Sequence, residues 1–425
     1  MLARFLTNAR GGVAPLMAVV AVPVMAAVGM AVDYSRVNAD RTAFQVALDA
    51  TALMLSKDAA TESSASLQTE ATNTFNSLYN RPEVTNVTVT PTYTSSGGSK
   101  LTLNGTAVVH TNFLGVIGIS QVDISAMSVS TWGNTRLRVA LVLDNTGSMA
   151  DADKIDALKT ASHNLLSQLQ QAAVHAEDVY VSIVPFVKDV NVGPENYGQS
   201  WIRWDLWEEV NGNCSSTKYT TKTTCQSHSK TWTPAAHNTW NGCVTDRDQN
   251  FDTTNTAPTT GSTLYPAEQY SSCPATSVLG LSNDWTALNG KVDTMAPAGN
   301  TNQAIGLQLG WQTLTAAPYT VPAIDPDYKY QTVIILLTDG LNTQDRWYTS
   351  ASSIDTRQKK TCDNIKAAGI TLYTVQVNTG GDPTSTLLQS CATDAGKFFL
   401  LTSAGQIITT FGQIGTSLSK LRLAM

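Results

Sequence analysis

Residues Leu137 to Met149 read L-R-V-A-L-V-L-D-N-T-G-S-M, and the reading of this stretch decides the fold. Its first half, Val139 to Leu143, is an unbroken apolar run. A short run of that kind, closed by turn residues, suits a strand buried on both faces of a parallel sheet. The chemistry then switches to Asp144-Asn145-Thr146-Gly147-Ser148, with oxygen-bearing side chains on alternate positions and a glycine for a tight turn. Ile155, Leu158, Leu165, Leu166 and Leu169 follow at helical spacing. A loop at the carboxyl end of a strand, feeding a helix, is where open α/β sheets place ligand sites. Hard oxygen donors suit Mg²⁺ or Ca²⁺ rather than zinc or copper. Taken alone, the segment is better served by a plain strand-to-helix turn in which Thr146 and Ser148 satisfy N-terminal amides.

Two later segments change that balance. Gly299-Asn300-Thr301 precedes a helical run (Ala304, Ile305, Leu307, Leu309, Trp311, Leu314), and Tyr330 to Leu337 is a second apolar strand ending in Thr338-Asp339-Gly340. Asp-x-Thr-x-Ser, a distant Thr, and Thr-Asp-Gly after a strand form the pattern of the metal-ion-dependent adhesion site, and the chain resembles von Willebrand factor A domains in these residues and in their order. The resemblance implies a metal shell of Asp144, Thr146, Ser148, Thr301 and Asp339, holding Mg²⁺ or another divalent cation such as Ca²⁺ or Mn²⁺. Thr146 departs from the family, which usually has Ser there; the hydroxyl is kept and a methyl is added.

The chain has 425 residues, enough for two or more domains. Net charge is −6 and no Lys/Arg run stands out, which argues against nucleic acid as a partner. Charged residues make up only 14%, and six cysteines occur without a C-x-x-C pair, which fits an envelope or secreted protein.

Arg4 and Arg10 are the only charges before Val13 to Val32, twenty residues without a charged side chain. That length spans a bilayer as a helix, even with Pro15 and Pro23 inside it. The basic start places the N-terminus in the cytoplasm and everything after Asp33 outside it. A cleaved signal peptide, with Gly29-Met30-Ala31 as its cleavage box, is the competing reading; its apolar core is usually roughly 7–15 residues, so the length favours a retained anchor. A helical stalk is expected over 34–81, with Phe44, Leu48 and Leu55 on one stripe and Arg81-Pro82 as its end. Alternating residues from Val84 to Thr131, with Ser95-Ser96-Gly97-Gly98 as a turn, predict a small antiparallel β domain over 82–134.

The short basic start, Gly11-Gly12 before one apolar helix, Ala-Val-Asp-Tyr-Ser-Arg, and the segments around Gly310-Trp311 and Arg346-Trp347-Tyr348 look like TadG-like proteins of Flp (tight-adherence) pilus assembly. That resemblance implies an inner-membrane, single-pass protein with its bulk in the periplasm, assisting pilus biogenesis or adhesion. Its partner would be a pilus-assembly component or pilin-like subunit offering an acidic residue to the metal. Gly11 and Gly12 are followed by V-A-P-L-M and lack the Glu-Tyr of processed pseudopilins, which puts prepilin-type processing in doubt.

The expected architecture is thus α/β: an anchor over 1–33, the stalk, the β domain, and a doubly wound parallel-sheet A-domain over 135–425 with an insertion at about 190–292. The insertion holds Cys214, Cys225, Cys243 and Cys273. Outside the cytoplasm these read as two disulfides; zinc with His228 and His237 is the alternative, but the paired cysteine spacing is missing. Connectivity is open, and joining neighbours as Cys214–Cys225 and Cys243–Cys273 closes the shortest loops. Cys362 and Cys391 are a plausible third pair. Trp201, Trp204, Trp207, Trp232 and Trp240 could form a partner- or glycan-binding face; more simply, a small lobe needs large side chains to build a core. Asp246-x-Asp248-x-Asn250-x-Asp252 alternates oxygens like a calcium loop but lacks the Gly and the bidentate Glu of an EF-hand.

An enzyme of the haloacid-dehalogenase phosphatase type would also place an aspartate after a buried strand. It needs a second acid two residues on, where this chain has Thr146, and no nucleophile–base arrangement is evident, so catalysis is not expected. A metal-free structural scaffold is the remaining alternative.

Overall fold

The computed structural model describes residues 13–423 apart from 96, 97 and 134. The basic start over 1–12, with Arg4, Arg10, Gly11 and Gly12, lies outside the described residues, as does the middle of the expected Ser95–Gly98 turn. The chain divides into two compact units, Met1–Asn134 and Thr135–Ala424.

In the first unit, α1 runs from Val13 to Leu55 with Pro23 inside it. It is the one helix among the described residues long and apolar enough to cross a membrane, and Met17, Val19, Val22, Met25 and Val28 are exposed along it. The expected stalk does not continue as one helix to residue 81. It stops at Leu55, and a second helix, α2 (Ser64–Leu78), starts where the Ser63 hydroxyl accepts from Ser66 N at 3.2 Å. A side-chain cap there satisfies an amide the new helix would otherwise leave unpaired, so the polar stretch 56–63 turns the chain. Phe75 of α2 then meets Phe44 of α1 edge-on, ring centroids 5.0 Å apart. Strands β1 (Val84–Thr94), β2 (Ser99–His110) and β3 (Gln121–Trp132) form an antiparallel sheet in that order. Alternate residues Leu101, Leu103 and Val109 of β2 join Phe44, Leu48 and Phe75 in one core.

The second unit is a six-stranded sheet. Its strands are β4 (Thr135–Asp144), β5 (Val179–Phe186), β6 (Leu279–Ser282), β7 (Lys329–Thr338), β8 (Thr371–Val377) and β9 (Phe398–Leu401), in the order β6-β5-β4-β7-β8-β9. All neighbours are parallel except β6 with β5. The sheet is therefore mixed and mostly parallel, with β4 and β7 side by side at its centre. Strand β4 is buried on both faces. Val139, Leu141 and Leu143 face α3 (Lys154–Ala172), α4 (Trp285–Asp293) and α8 (Gly405–Leu423). Ala140 and Val142 face α5 (Gln303–Thr315), α6 (Ala351–Ala367) and α7 (Thr386–Cys391). This two-sided burial is what an unbroken apolar run requires. Helix α5 lies close to the sheet because Gly310 has no side chain: a Cβ there would come within 2.4 Å of Val142 Cγ2.

The excursion after β5 ends earlier than its composition suggests. Leu279–Ser282 is the antiparallel edge strand and Trp285–Asp293 packs on α3, so both belong to the sheet's own layers. The lobe before them contains short ladders: Val190–Asn191 with Cys243–Val244, Ile202–Arg203 with Tyr265–Pro266, and Gly212–Cys214 with Trp232–Pro234. Disulfides join Cys214 to Cys225, Cys243 to Cys273, and Cys362 to Cys391, the last linking α6 to α7.

Candidate metal centre

Parallel pairing of β4 with β7 brings Asp144 and Thr338 to the same edge of the sheet, since Leu337 lies opposite Leu143. Asp144 is fully buried. Its Oδ1 accepts from Thr146 N at 2.7 Å, closing the turn that follows the strand, and its Oδ2 accepts from the Thr338 hydroxyl at 2.6 Å. The Thr146 and Ser148 hydroxyls are 3.2 Å apart, and Ser148 Oγ donates to Asp339 Oδ1 at 2.7 Å. Asp144, Thr146, Ser148 and Asp339 are thus joined into one hydrogen-bonded group from two distant loops. Burial, and then the charge of Asp339, push the Asp144 carboxyl up to about 6, against hydrogen bonds that pull it down.

Thr301 is held through its backbone by the loop that follows Asp339. Thr301 N donates to Thr343 Oγ1 at 2.8 Å, and Thr301 O accepts from Thr343 N at 2.9 Å and Gln344 N at 3.2 Å. The loop before α5 is also tied to the Asp144 loop, with Gly147 N on Gly299 O at 3.0 Å and Ala298 N on Asn145 O at 2.7 Å. Gly299 adopts φ +65°, and a Cβ there would lie 2.7 Å from the Tyr270 hydroxyl, so a side chain is excluded on both counts. Next to Thr301, Asn302 donates to Val187 O at 3.1 Å and, through Nδ2, to Asp246 Oδ2 at 2.8 Å. The insertion therefore helps fix this loop.

Sequence reasoning missed Lys154. Its side chain is 7% exposed and its ammonium is paired with Asp339 Oδ2. Ala152 and Asp153, both in the left-handed region (φ 54° and 57°), turn the chain just before α3 and put Lys154 at that helix's first position. Nothing in its spacing separates it from a solvated lysine opening a helix. Thr338 is a second such residue, its hydroxyl holding Asp144 Oδ2. Asn145 is the third: it is fully buried, and neither the Nδ2 nor the Oδ1 of its side chain has a hydrogen-bond partner among the described residues.

The donor set fits a small divalent cation. Among the described residues no three His, Cys, Asp or Glu side chains gather into a metal-holding group. Here two carboxylates are supplemented by hydroxyls. Lys154 supplies one positive charge to the same carboxylate, so a cation there would share Asp339 with it.

The other candidates are engaged otherwise. Trp207, Trp232 and Trp240 are buried, while Trp201 and Trp204 pack partly buried against the same core, so these rings are core more than face. His237 stacks on Trp204 at 3.8 Å between centroids. The Asp246–Asp252 run does not converge on a shared ligand. Asp248 binds Arg203 through both oxygens at 2.7 and 2.9 Å, and Asp252 pairs with Arg357. Arg203 foremost holds the Asp248 carboxyl well below its usual range, whereas burial, then Asp345 and Asp252, push Asp246 up to about 7.

Residues 11–56 match a family model described as "Putative Flp pilus-assembly TadE/G-like". Similar solved structures include the pilus adhesin SpaC from Lactobacillus rhamnosus GG, at 14% identity over 81% of this chain and 36% of that one, TM-score 0.40. The chain thus spans about a third of that adhesin. They also include the vWF domain of the type V pili tip protein Mfa5 from Porphyromonas gingivalis, at 10% identity, 68% and 97% coverage and TM-score 0.39. Proximal thread matrix protein 1 from the mussel byssus, with a zinc-occupied MIDAS motif, matches at 12% identity, 68% and 46% coverage and TM-score 0.36. No curated protein matches the chain.

Proposed function

We propose that this chain is a single-pass envelope protein whose second unit binds a protein partner through a divalent cation, in Flp-type pilus assembly or surface adhesion. The observation that carries the reading is the hydrogen-bonded group of Asp144, Thr146, Ser148 and Asp339 at the carboxyl edge of β4 and β7. These four residues and Thr301 would hold Mg²⁺ or another divalent cation. When bound, the cation offers a coordination position that a carboxylate of the partner can take, which makes association metal-dependent. The matched TadE/G-like segment over 11–56 supports the pilus context, and α1 fits an anchor. The basic start supports an inner-membrane location with the N-terminus in the cytoplasm and the rest in the periplasm. The partner would be a pilus-assembly component or pilin-like subunit presenting Asp or Glu.

A second reading rests on Lys154. Its buried ammonium already compensates Asp339, and a site neutralised in this way would serve as a metal-free scaffold. A photoreactive residue introduced at Leu341, which is 52% exposed beside Asp339, separates the two. The adhesion reading predicts partner crosslinks lost with chelator, lost in Asp339→Asn, and restored by Mg²⁺ in the native site. Crosslinks indifferent to chelator and to the substitution favour the scaffold.

A further inference from the structure

The loop between β2 and β3 presents its apolar side chains outward. From Thr111 to Gln121 it carries no charged residue. Phe113 is 51% exposed, Val116 86%, Ile117 56% and Ile119 45%. The segment is nonetheless ordered: Leu114–Ile117 form a 3-10 turn, and Ile119 N returns to Leu114 O at 3.0 Å. A loop this apolar and this well built would be expected to bury its side chains in its own unit, and it does not.

It is also fastened to one place on α1. Asp33, 2% exposed, accepts from the backbone amides of Asn112 at 3.2 Å, Phe113 at 2.7 Å and Leu114 at 2.7 Å. One turn earlier, a Cβ on Gly29 would fall 2.7 Å from Phe113 Cγ, so the ring rests directly on the helix backbone there. The loop therefore runs along α1 from Asp33 back toward Gly29, which lies inside the uncharged stretch Val13–Val32.

We infer that Phe113–Ile119 is a second membrane contact, inserted into the interface of the same bilayer that α1 crosses. The inference rests on the anchor reading of α1. Twenty residues at about 1.5 Å each give about 30 Å, the thickness of the hydrocarbon core, so the boundary falls near Val32. Gly29, three residues further in, is then about 4–5 Å below it, and the Phe113 ring lies at that depth. Interfacial elements bury their apolar side to roughly 5–10 Å. The occupant of this surface is the bilayer because the loop is continuous with the spanning segment and carries no charge to desolvate. With two points of contact, the first unit would be held in one orientation on the membrane.

The test uses the full chain in phosphatidylethanolamine–phosphatidylglycerol vesicles. All six native cysteines are in disulfides, so an introduced cysteine is the only thiol to label. An environment-sensitive fluorophore goes on Val116→Cys, on Val22→Cys within the span, and on Thr92→Cys toward the opposite end of the sheet. Quenching by lipids spin-labelled just below the headgroup should be at least roughly twofold stronger at position 116 than at 92, with blue-shifted emission at 116, while position 22, about 15 Å below the boundary, is read with lipids spin-labelled near the end of the acyl chain. Strong quenching at 22 with position 116 no different from 92 overturns the inference while leaving the anchor intact. A blue-shifted but unquenched label at 116 overturns it too, since protein would then cover the loop. Absence of lipid quenching at 22 removes the anchor reading and this inference with it.

Discussion

The hydroxyl of Ser148 donates to Asp339 Oδ1 at 2.7 Å, joining two loops 191 positions apart in the chain. The contact is possible because β4 and β7 are adjacent and end at the same edge of the sheet, so each strand hands its following loop to the other. Ser148→Ala removes one donor to a buried carboxylate and one candidate ligand. Its cost without metal should be about 1–3 kcal/mol, from the charge-assisted hydrogen bond it deletes. In thermal denaturation the variant should also lose most of any stabilisation that Mg²⁺ gives the native protein.

Lys154 is the counter-charge within the site. Lys154→Met leaves Asp339 beside Asp144 with no fixed cation, and breaking a buried pair in this way costs about 3–5 kcal/mol. Added Mg²⁺ should recover much of that loss, giving a larger Mg²⁺-induced rise in Tm than in the native protein. A variant that unfolds more easily and does not respond to Mg²⁺ would mean that lysine alone neutralises the site.

Stability should depend on pH with a definite sign. Asp144 and Asp246 titrate near the usual 3.8 when unfolded but are pushed up to about 6 and about 7 in the folded chain. Between those values the folded state holds protons that the unfolded state has lost. Stability from these groups is therefore complete below about pH 4 and falls as pH rises toward 7, by about 1.4 kcal/mol per pH unit for each retained proton. Urea denaturation in EDTA between pH 5 and 7 measures the slope, and Asp246→Asn should flatten it.

Gly310 sets the distance between α5 and the sheet. Gly310→Ala would drive a methyl against Val142, and overpacking of this kind costs about 1–3 kcal/mol. Because Thr301 stands just before the same helix, the variant should weaken Mg²⁺ binding as well as stability. Calorimetry beside thermal denaturation would register both.

The sequence made the centre of the second unit readable because two-sided burial leaves unbroken apolar runs, and because Asp144, Thr146, Ser148 and Asp339 sit at strand ends where pairing brings them together. Other features leave no local trace. Lys154 opens a helix like any solvated lysine, and only the turn at Ala152 and Asp153 aims it at Asp339. Leu279–Ser282 is too short to show strand alternation, so its place at the sheet edge was invisible. The break after Leu55 was hidden by an Ala-rich composition that favours helix on both sides, although the Ser63 cap was there to find. The buried tryptophans illustrate a different limit, since composition alone cannot separate an aromatic core from an aromatic face.

Calorimetric titration of Mg²⁺ into the isolated unit from Thr135 onward, native beside Asp144→Ala, tests the central claim most directly. The account predicts one-site binding in the native protein and none in the variant. Absence of binding in both, with the native unit shown to be folded, would contradict the metal-dependent reading and leave a site neutralised by Lys154.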